Sequence, residues 1–135
     1  MEKNVRVGVA VLVCRDGEYL LIKRSGELGT DTWAPPGGKL DLNEDIMVCG
    51  LREMKEEVGD IVVSEPIFFG VTNDIFEKEQ QHYITIWLTV DYISGEPEIK
   101  EPTKHSEIGW FHQDDVQELN LFLPFFNFTN GKYLY

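Results

Sequence analysis

Disulfide chemistry has little to work with in this chain, which carries two cysteines in 135 residues. Cys14 and Cys49 both stand in apolar contexts, the pattern of buried thiols in a reducing cytoplasm. Positive charge is scarce as well. Twelve basic residues face 24 acidic ones, a net charge of −12. A broad basic surface for duplex nucleic acid is thereby excluded. No long apolar run is present: Val5–Val13 is interrupted by Arg6 and Gly8 and falls well short of the ~20 residues that span a bilayer. It also lacks a small-residue cleavage site, so neither membrane insertion nor export is expected. Repeats, low-complexity tracts and a linker are missing too. Residues 1–135 therefore read as one domain with one core.

What is present is strand-forming sequence around one acidic helix. The β-branched run Val5–Val13, the Asp16-Gly17 turn and the segment Tyr19–Lys23 predict a hairpin. Ser25–Thr32 reads as a loop, and Trp33-Ala34 leads into the turn Pro35-Pro36-Gly37-Gly38. A helix is expected over Glu44–Val58, with Asn43 as N-cap and Gly59 as terminator. Ile61–Val63 and Ile67–Thr72 read as strands, Asn73–Gln81 as a polar hairpin loop, and His82–Tyr92 as a long strand with Ile84, Ile86 and Leu88 on one face. Gly95–Glu107 reads as a loop and Trp110-Phe111 as a short strand. Asp114–Leu119 forms a helical turn, and Pro124–Phe128 starts a last helix with proline in its first turn. Strands before and after a helix predict an α/β fold, a mixed β-sheet covered on both faces.

The helix carries the chemistry. Glu53, Glu56 and Glu57 stand at i, i+3 and i+4, an arc of roughly 100° at about 3.6 residues per turn. Met47, Leu51, Met54 and Val58 occupy a neighbouring arc that faces a core. A glutamate-rich helix is most often a solvated face. Here, though, no Lys or Arg is spaced to neutralise all three carboxylates, and a hard divalent cation such as Mg²⁺ or Mn²⁺ would do so. The flanks match G-x5-E-x7-R-E-U-x-E-E-x-G-U, with U apolar, from Gly38 through Glu44, Arg52, Glu53, Met54, Glu56 and Glu57 to Gly59. One position departs, since Asp60 stands where the last apolar residue belongs; Ile61 is the expected substitute.

This is the Nudix box, and the chain resembles a Nudix hydrolase. The opening strand, the WAPPGG approach, HYITIWLTVDY and the ending at Trp110-Phe111 resemble the MutT-like nucleoside triphosphate diphosphatase branch. The resemblance implies a Nudix-type α/β/α sandwich. It also implies Mg²⁺-dependent cleavage of a nucleoside triphosphate to the monophosphate and pyrophosphate. Carried onto this chain, Gly38, Glu53, Glu56, Glu57 and a distal Glu101 are the metal ligands. Arg52 orients a glutamate, and Glu44 supports the site. The general base stays open between a box glutamate and Glu101, with Glu98 and Glu107 as rivals to the latter. Arg24, Thr85, Trp110 and Asn120 resemble substrate-binding positions, while Phe122, Phe125 and Phe126 read as packing or base stacking. His82 and His105 have no partner identifiable from sequence.

Some relatives that cleave ADP-ribose carry a proline beyond the box, where this chain has Asp74-Ile75-Phe76. Hydrolysis of ADP-ribose, sugar nucleotides or dinucleoside polyphosphates nonetheless stays open, as do a non-catalytic nucleotide sensor and a homodimer.

Overall fold

A computed structural model describes residues 4–134. Nine strands form one mixed sheet: β1 (Arg6–Arg15), β2 (Glu18–Arg24), β3 (Trp33–Ala34), β4 (Gly37–Lys39), β5 (Val62–Val63), β6 (Ile67–Phe76), β7 (Gln81–Ser94), β8 (His105–His112) and β9 (Tyr133–Leu134). The main path runs β3-β2-β1-β7-β6-β9, with β4 on β1, β5 on β7 and β8 on β2. The central pair, β1 and β7, is parallel, and both strands are buried on two faces. That explains the near-continuous apolar run of β1, since a strand covered on both sides has no solvent face to alternate toward.

Side chains of β1 alternate between two cores. Val9, Val11 and Val13 point to the face covered by α1 (Ile46–Val58), where they meet Cys49, Met54, Val58, Leu88 and Val90. Ala10 and Leu12 point the other way, toward Trp87, Val116 and the phenylalanines of α2 (Leu123–Thr129). Each Val or Leu sealed in this way contributes roughly 1.5–3 kcal/mol. The result is the expected α/β/α sandwich. Ile61 is buried beside Val58 while Asp60 is exposed, so the residue after the departing position fills the apolar place.

β1 and β2 pair at Cys14–Tyr19 and Arg15–Glu18, beside their turn, and then part. β4 takes up the far end of β1, with Gly37, Gly38 and Lys39 opposite Ala10, Val9 and Gly8. Gly37 is required there, because a Cβ would sit 2.6 Å from the Val9 carbonyl oxygen. The splay between the hairpin strands opens the cleft described below.

Several boundaries differ from expectation. The helix begins at Ile46 and is capped by Asp45, whose Oδ1 accepts from the N–H groups of Met47 (2.8 Å) and Val48 (3.3 Å). Asn43 instead adopts a left-handed turn at φ +66°. β6 extends to Phe76 and β7 begins at Gln81, which shortens the expected loop to residues 77–80. Thr72, Asp74 and Phe76 alternate on a buried face, so polarity in this segment disguised a strand. β8 starts at His105 because its pairing with β2 reaches Arg24. Cys49 is buried as expected, whereas Cys14 is only half-buried.

Candidate active site

The box builds one end of the cleft. Glu44 lies just before α1, and Arg52 reaches it with two hydrogen bonds, Nε to Oε2 at 2.7 Å and Nη2 to Oε1 at 3.0 Å. The same guanidinium donates to Glu53 Oε1 (2.9 Å) and Glu56 Oε1 (3.2 Å). Arg52 thus ties the loop to α1 and holds two of the three helix carboxylates in place, a planar fork suited to such work. Glu57 is buried, and its Oε1 accepts from the Gly37 N–H at 2.7 Å while Oε2 lies 3.1 Å from His105 Nε2. A Cβ on Gly38 would collide with the Glu53 carboxylate, so glycine lets that carboxylate lie directly against the turn.

Charge and burial oppose one another here. The Arg52 fork, helped by the Asp41 N–H, pulls the Glu44 carboxyl down to about 2. Hydrogen bonding to Glu44 in turn raises Arg52. Glu53 moves the other way: burial first, then the charges of Glu57 and Glu56, raise it above the usual carboxylate range. Burial, with Glu44 nearby, pushes the Cys49 thiol up to about 12 and leaves it unreactive at neutral pH.

Glu57, Glu101 and His105 bring one donor atom each within 4.8 Å of one another. Glu101 comes from the turn before β8, whose hydrogen bonds run from the Lys104 and His105 N–H groups to the Glu101 carbonyl. Of the rival glutamates, Glu98 pairs with Lys100 near the end of α1, and Glu107 pairs with Lys23. Neither joins that group. Crowded carboxylates, a glycine turn that a Cβ would fill and a donor set dominated by oxygen fit a hard divalent cation.

From this end the cleft, about 580 Å³ in volume, runs across β1 toward α2. That volume falls in the range of small-molecule sites. Its walls include Gly38, Glu53, Glu56, Glu57 and Glu101 at one end, and Arg24, Thr85, Trp87, Phe122 and Phe125 at the other. The Arg24 guanidinium stacks 4.0 Å from the Phe122 ring centroid, and its Nε donates to the Leu28 carbonyl at 2.9 Å. Burial lowers its pKa, opposed by Glu57 and Tyr83.

Two sequence-based substrate candidates lie elsewhere. Trp110 packs on the α1 side against Tyr92, with the Arg15 guanidinium 4.0 Å from its ring centroid, and does not line the cleft. Its place on β8 opposite Leu20 turns it into the core beneath the helix. Asn120 also stays outside the lining: its main-chain carbonyl accepts from Trp33 N–H and its amide donates to the Asp31 carbonyl. His105 is a residue that sequence reasoning missed. It stands opposite Arg24 across the β2–β8 pair, so it enters the site through strand register, which spacing along the chain does not show.

An acidic box on a helix, opening into a deep cleft between the strands of an α/β/α sandwich, defines a Nudix hydrolase. The NUDIX domain family matches residues 4–129, and the chain belongs to that family. It is similar to nucleoside triphosphatase NudI of Escherichia coli, 28% identical over 124 residues, which cover 86% of this chain and 88% of that protein. A 60-residue stretch is 45% identical to an m7GpppN-mRNA hydrolase of Xenopus laevis, covering 42% of this chain and 20% of that protein. Among solved structures, a MutT NUDIX hydrolase of Burkholderia pseudomallei superposes with a TM-score of 0.77 at 34% identity, over 82% of this chain and 85% of that one. The MutT protein of Methanosarcina mazei shares the fold at 24% identity, with a TM-score of 0.77 over 97% and 94% of the two chains.

Proposed function

We propose that this Nudix hydrolase cleaves a nucleoside triphosphate to the monophosphate and pyrophosphate with Mg²⁺, or Mn²⁺ in its place. The observation that carries the proposal is the continuity of one cleft. It joins a carboxylate cluster suited to cations and phosphates to an aromatic wall formed by Trp87, Phe122 and Phe125. The similarity to NudI supports the same substrate class.

Glu53, Glu56, Glu57, Glu101 and the Gly38 carbonyl would hold the ions. Bound there, divalent cations neutralise phosphate charge and make a water a stronger nucleophile. The residues of the chain do the rest. Arg52 and Glu44 keep the helix carboxylates in register, so no reorganisation is needed as charge develops. Arg24, at the aromatic end, meets the triphosphate or the base edge. Phe122 stacks on the Arg24 guanidinium and holds it at the cleft wall. A box glutamate or Glu101 takes the proton from the water that attacks phosphorus; the α–β phosphoanhydride bond breaks as the new phosphorus–oxygen bond forms, releasing monophosphate and pyrophosphate.

The test is a nucleotide panel with product identification, run with Mg²⁺ on the wild type and on Glu56→Gln and Glu57→Gln. Monophosphate and pyrophosphate from the wild type, lost in both variants, is the expected result. Unchanged turnover in both variants refutes the site. Binding without turnover on any nucleotide favours a sensor.

A further inference from the structure

Behind the pocket wall lies a buried polar cluster that the hydrolytic chemistry does not use. Asp74 on β6 is fully buried, and its carboxylate is surrounded by hydrogen-bond donors. Its Oδ2 accepts from Thr72 Oγ1 at 3.1 Å and from Thr85 Oγ1 at 2.6 Å, and its Oδ1 accepts from Asn127 Nδ2 at 3.0 Å. Trp87 Nε1 donates to Thr72 Oγ1 at 2.9 Å. An indole N–H only donates, so Thr72 receives there and must turn its own proton to Asp74. Asn127 ties α2 to the same carboxylate.

A buried carboxylate satisfied by donors alone settles the direction of every bond around it. Thr85 has a single proton, and Asp74 receives it. The lone pairs left on Thr85 Oγ1 are acceptors, and Thr85 lines the cleft. Gly8, opposite Thr85 on β1, has no side chain to cover that hydroxyl.

We propose that Asp74 sets the hydrogen-bond polarity of the base pocket: by holding the Thr85 proton, it makes Thr85 an obligate acceptor, and the cleft selects nucleobases that place an exocyclic amine, not a carbonyl, against it. The proposal rests on the nucleotide reading of the cleft and deepens it, naming amino-bearing bases as the preferred class. Thr85 is the residue that touches the base, and Asp74 acts through it as a positioning residue. A carbonyl edge placed against Thr85 would set acceptor against acceptor, the kind of mismatch by which polar sites discriminate strongly.

The test compares kcat/KM for ATP with ITP, CTP with UTP, and GTP with ITP, pairs in which an exocyclic amine is exchanged for oxygen or removed. It uses wild type, Thr85→Val, Thr85→Ser and Asp74→Asn, each with a melting curve. In the wild type at least one pair should favour its amino member by about tenfold or more. Thr85→Val, which keeps the shape and loses the acceptor, should bring that ratio to within about threefold, while Thr85→Ser should retain it. Asp74→Asn can donate to Thr85 and turn its hydroxyl proton into the cleft, which should shift the same ratio toward the oxo member. If Asp74→Asn does not fold, the Val and Ser variants decide alone. A wild type without amino preference, or a ratio unmoved by Thr85→Val, overturns the inference while leaving hydrolysis standing. A wild type that cleaves none of the five nucleotides, in either the ribo or the deoxyribo form, overturns the nucleotide reading itself, and this inference with it.

Discussion

The two ends of the cleft are built by different means. At the carboxylate end, Gly38, Glu44, Arg52, Glu53, Glu56 and Glu57 come from one short stretch of chain: helix geometry aligns Arg52 and the three later glutamates, and the Arg52 fork draws in Glu44 from the loop before them. At the aromatic end, Arg24, Thr85, Trp87, Phe122 and Phe125 come from β2, β7 and the neighbourhood of α2, and only sheet pairing and layer packing bring them into one wall. The first end is charged, with one guanidinium holding Glu44, Glu53 and Glu56 and the Gly37 N–H holding Glu57. The second is largely apolar, with a concealed carboxylate setting its polarity. A site of this kind can keep its chemistry in one local motif while its selectivity is free to vary with the tertiary frame around it.

The largest expected contrast is between Glu57 and the aromatic end. Glu57→Gln is expected to lower kcat/KM by about 10² to 10³-fold or more, the scale seen when a group stabilising developing charge is removed. Mg²⁺ should raise the melting temperature of the wild type, and this substitution should abolish the rise, which a scan with and without the ion measures. Retained activity would break the assignment of that end.

Next is the support behind the ligands. Glu44→Gln leaves Arg52 without its main anchor, and a loss of about 10- to 100-fold in metal affinity or activity is expected. Titration with Mn²⁺ separates the affinity from turnover. Wild-type affinity in this variant would mean that Glu53 and Glu56 suffice to hold the fork.

Smaller, and of a different kind, is the effect expected at the aromatic end. Arg24→Ala should raise KM about tenfold, one lost contact to a charged or polar group, with kcat nearly unchanged. Trp110→Ala is the matched control: it should cost about 2 kcal/mol of stability through lost packing and leave KM unchanged. Equal KM effects in the two variants would erase the distinction between a cleft residue and a core residue.

The subtlest difference lies within the carboxylate end, in how stability follows pH. Glu44 is lowered to about 2 in the folded protein, so its stabilisation is complete above its usual 4.5 and is lost as pH falls from there toward 2. Glu53 is raised, so its ionisation costs stability above its folded value, and acidification relieves that cost. Without metal, Glu53→Gln should therefore raise the melting temperature at neutral pH. A fall instead would mean that the bond from Arg52 outweighs burial and repulsion.

Legibility in the sequence followed the range of the interactions. The hairpin of β1 and β2, the acidic helix and the final helix were readable because each depends on near neighbours. The helix start was misplaced because Asn43, Glu44 and Asp45 offer competing polar side chains. Asp45 won the cap because Glu44 is engaged by Arg52 and the Asp41 N–H. The end of β6 was hidden because Asp74 has the polarity of a loop and the burial of a core residue. That combination becomes stable only when Thr72, Thr85 and Asn127 arrive from three elements to satisfy it.

By itself the sequence determined the family, the α/β class and the acidic face of α1, since a 3.6-residue period and a glycine turn act within a few residues. Only the tertiary structure decided that Arg24 and Thr85 share the cleft while Trp110 and Asn120 do not, and that His105 meets Glu57. Those outcomes depend on strand register and on which sheet face each residue takes. A one-residue slip reverses the face, and no spacing along the chain records it.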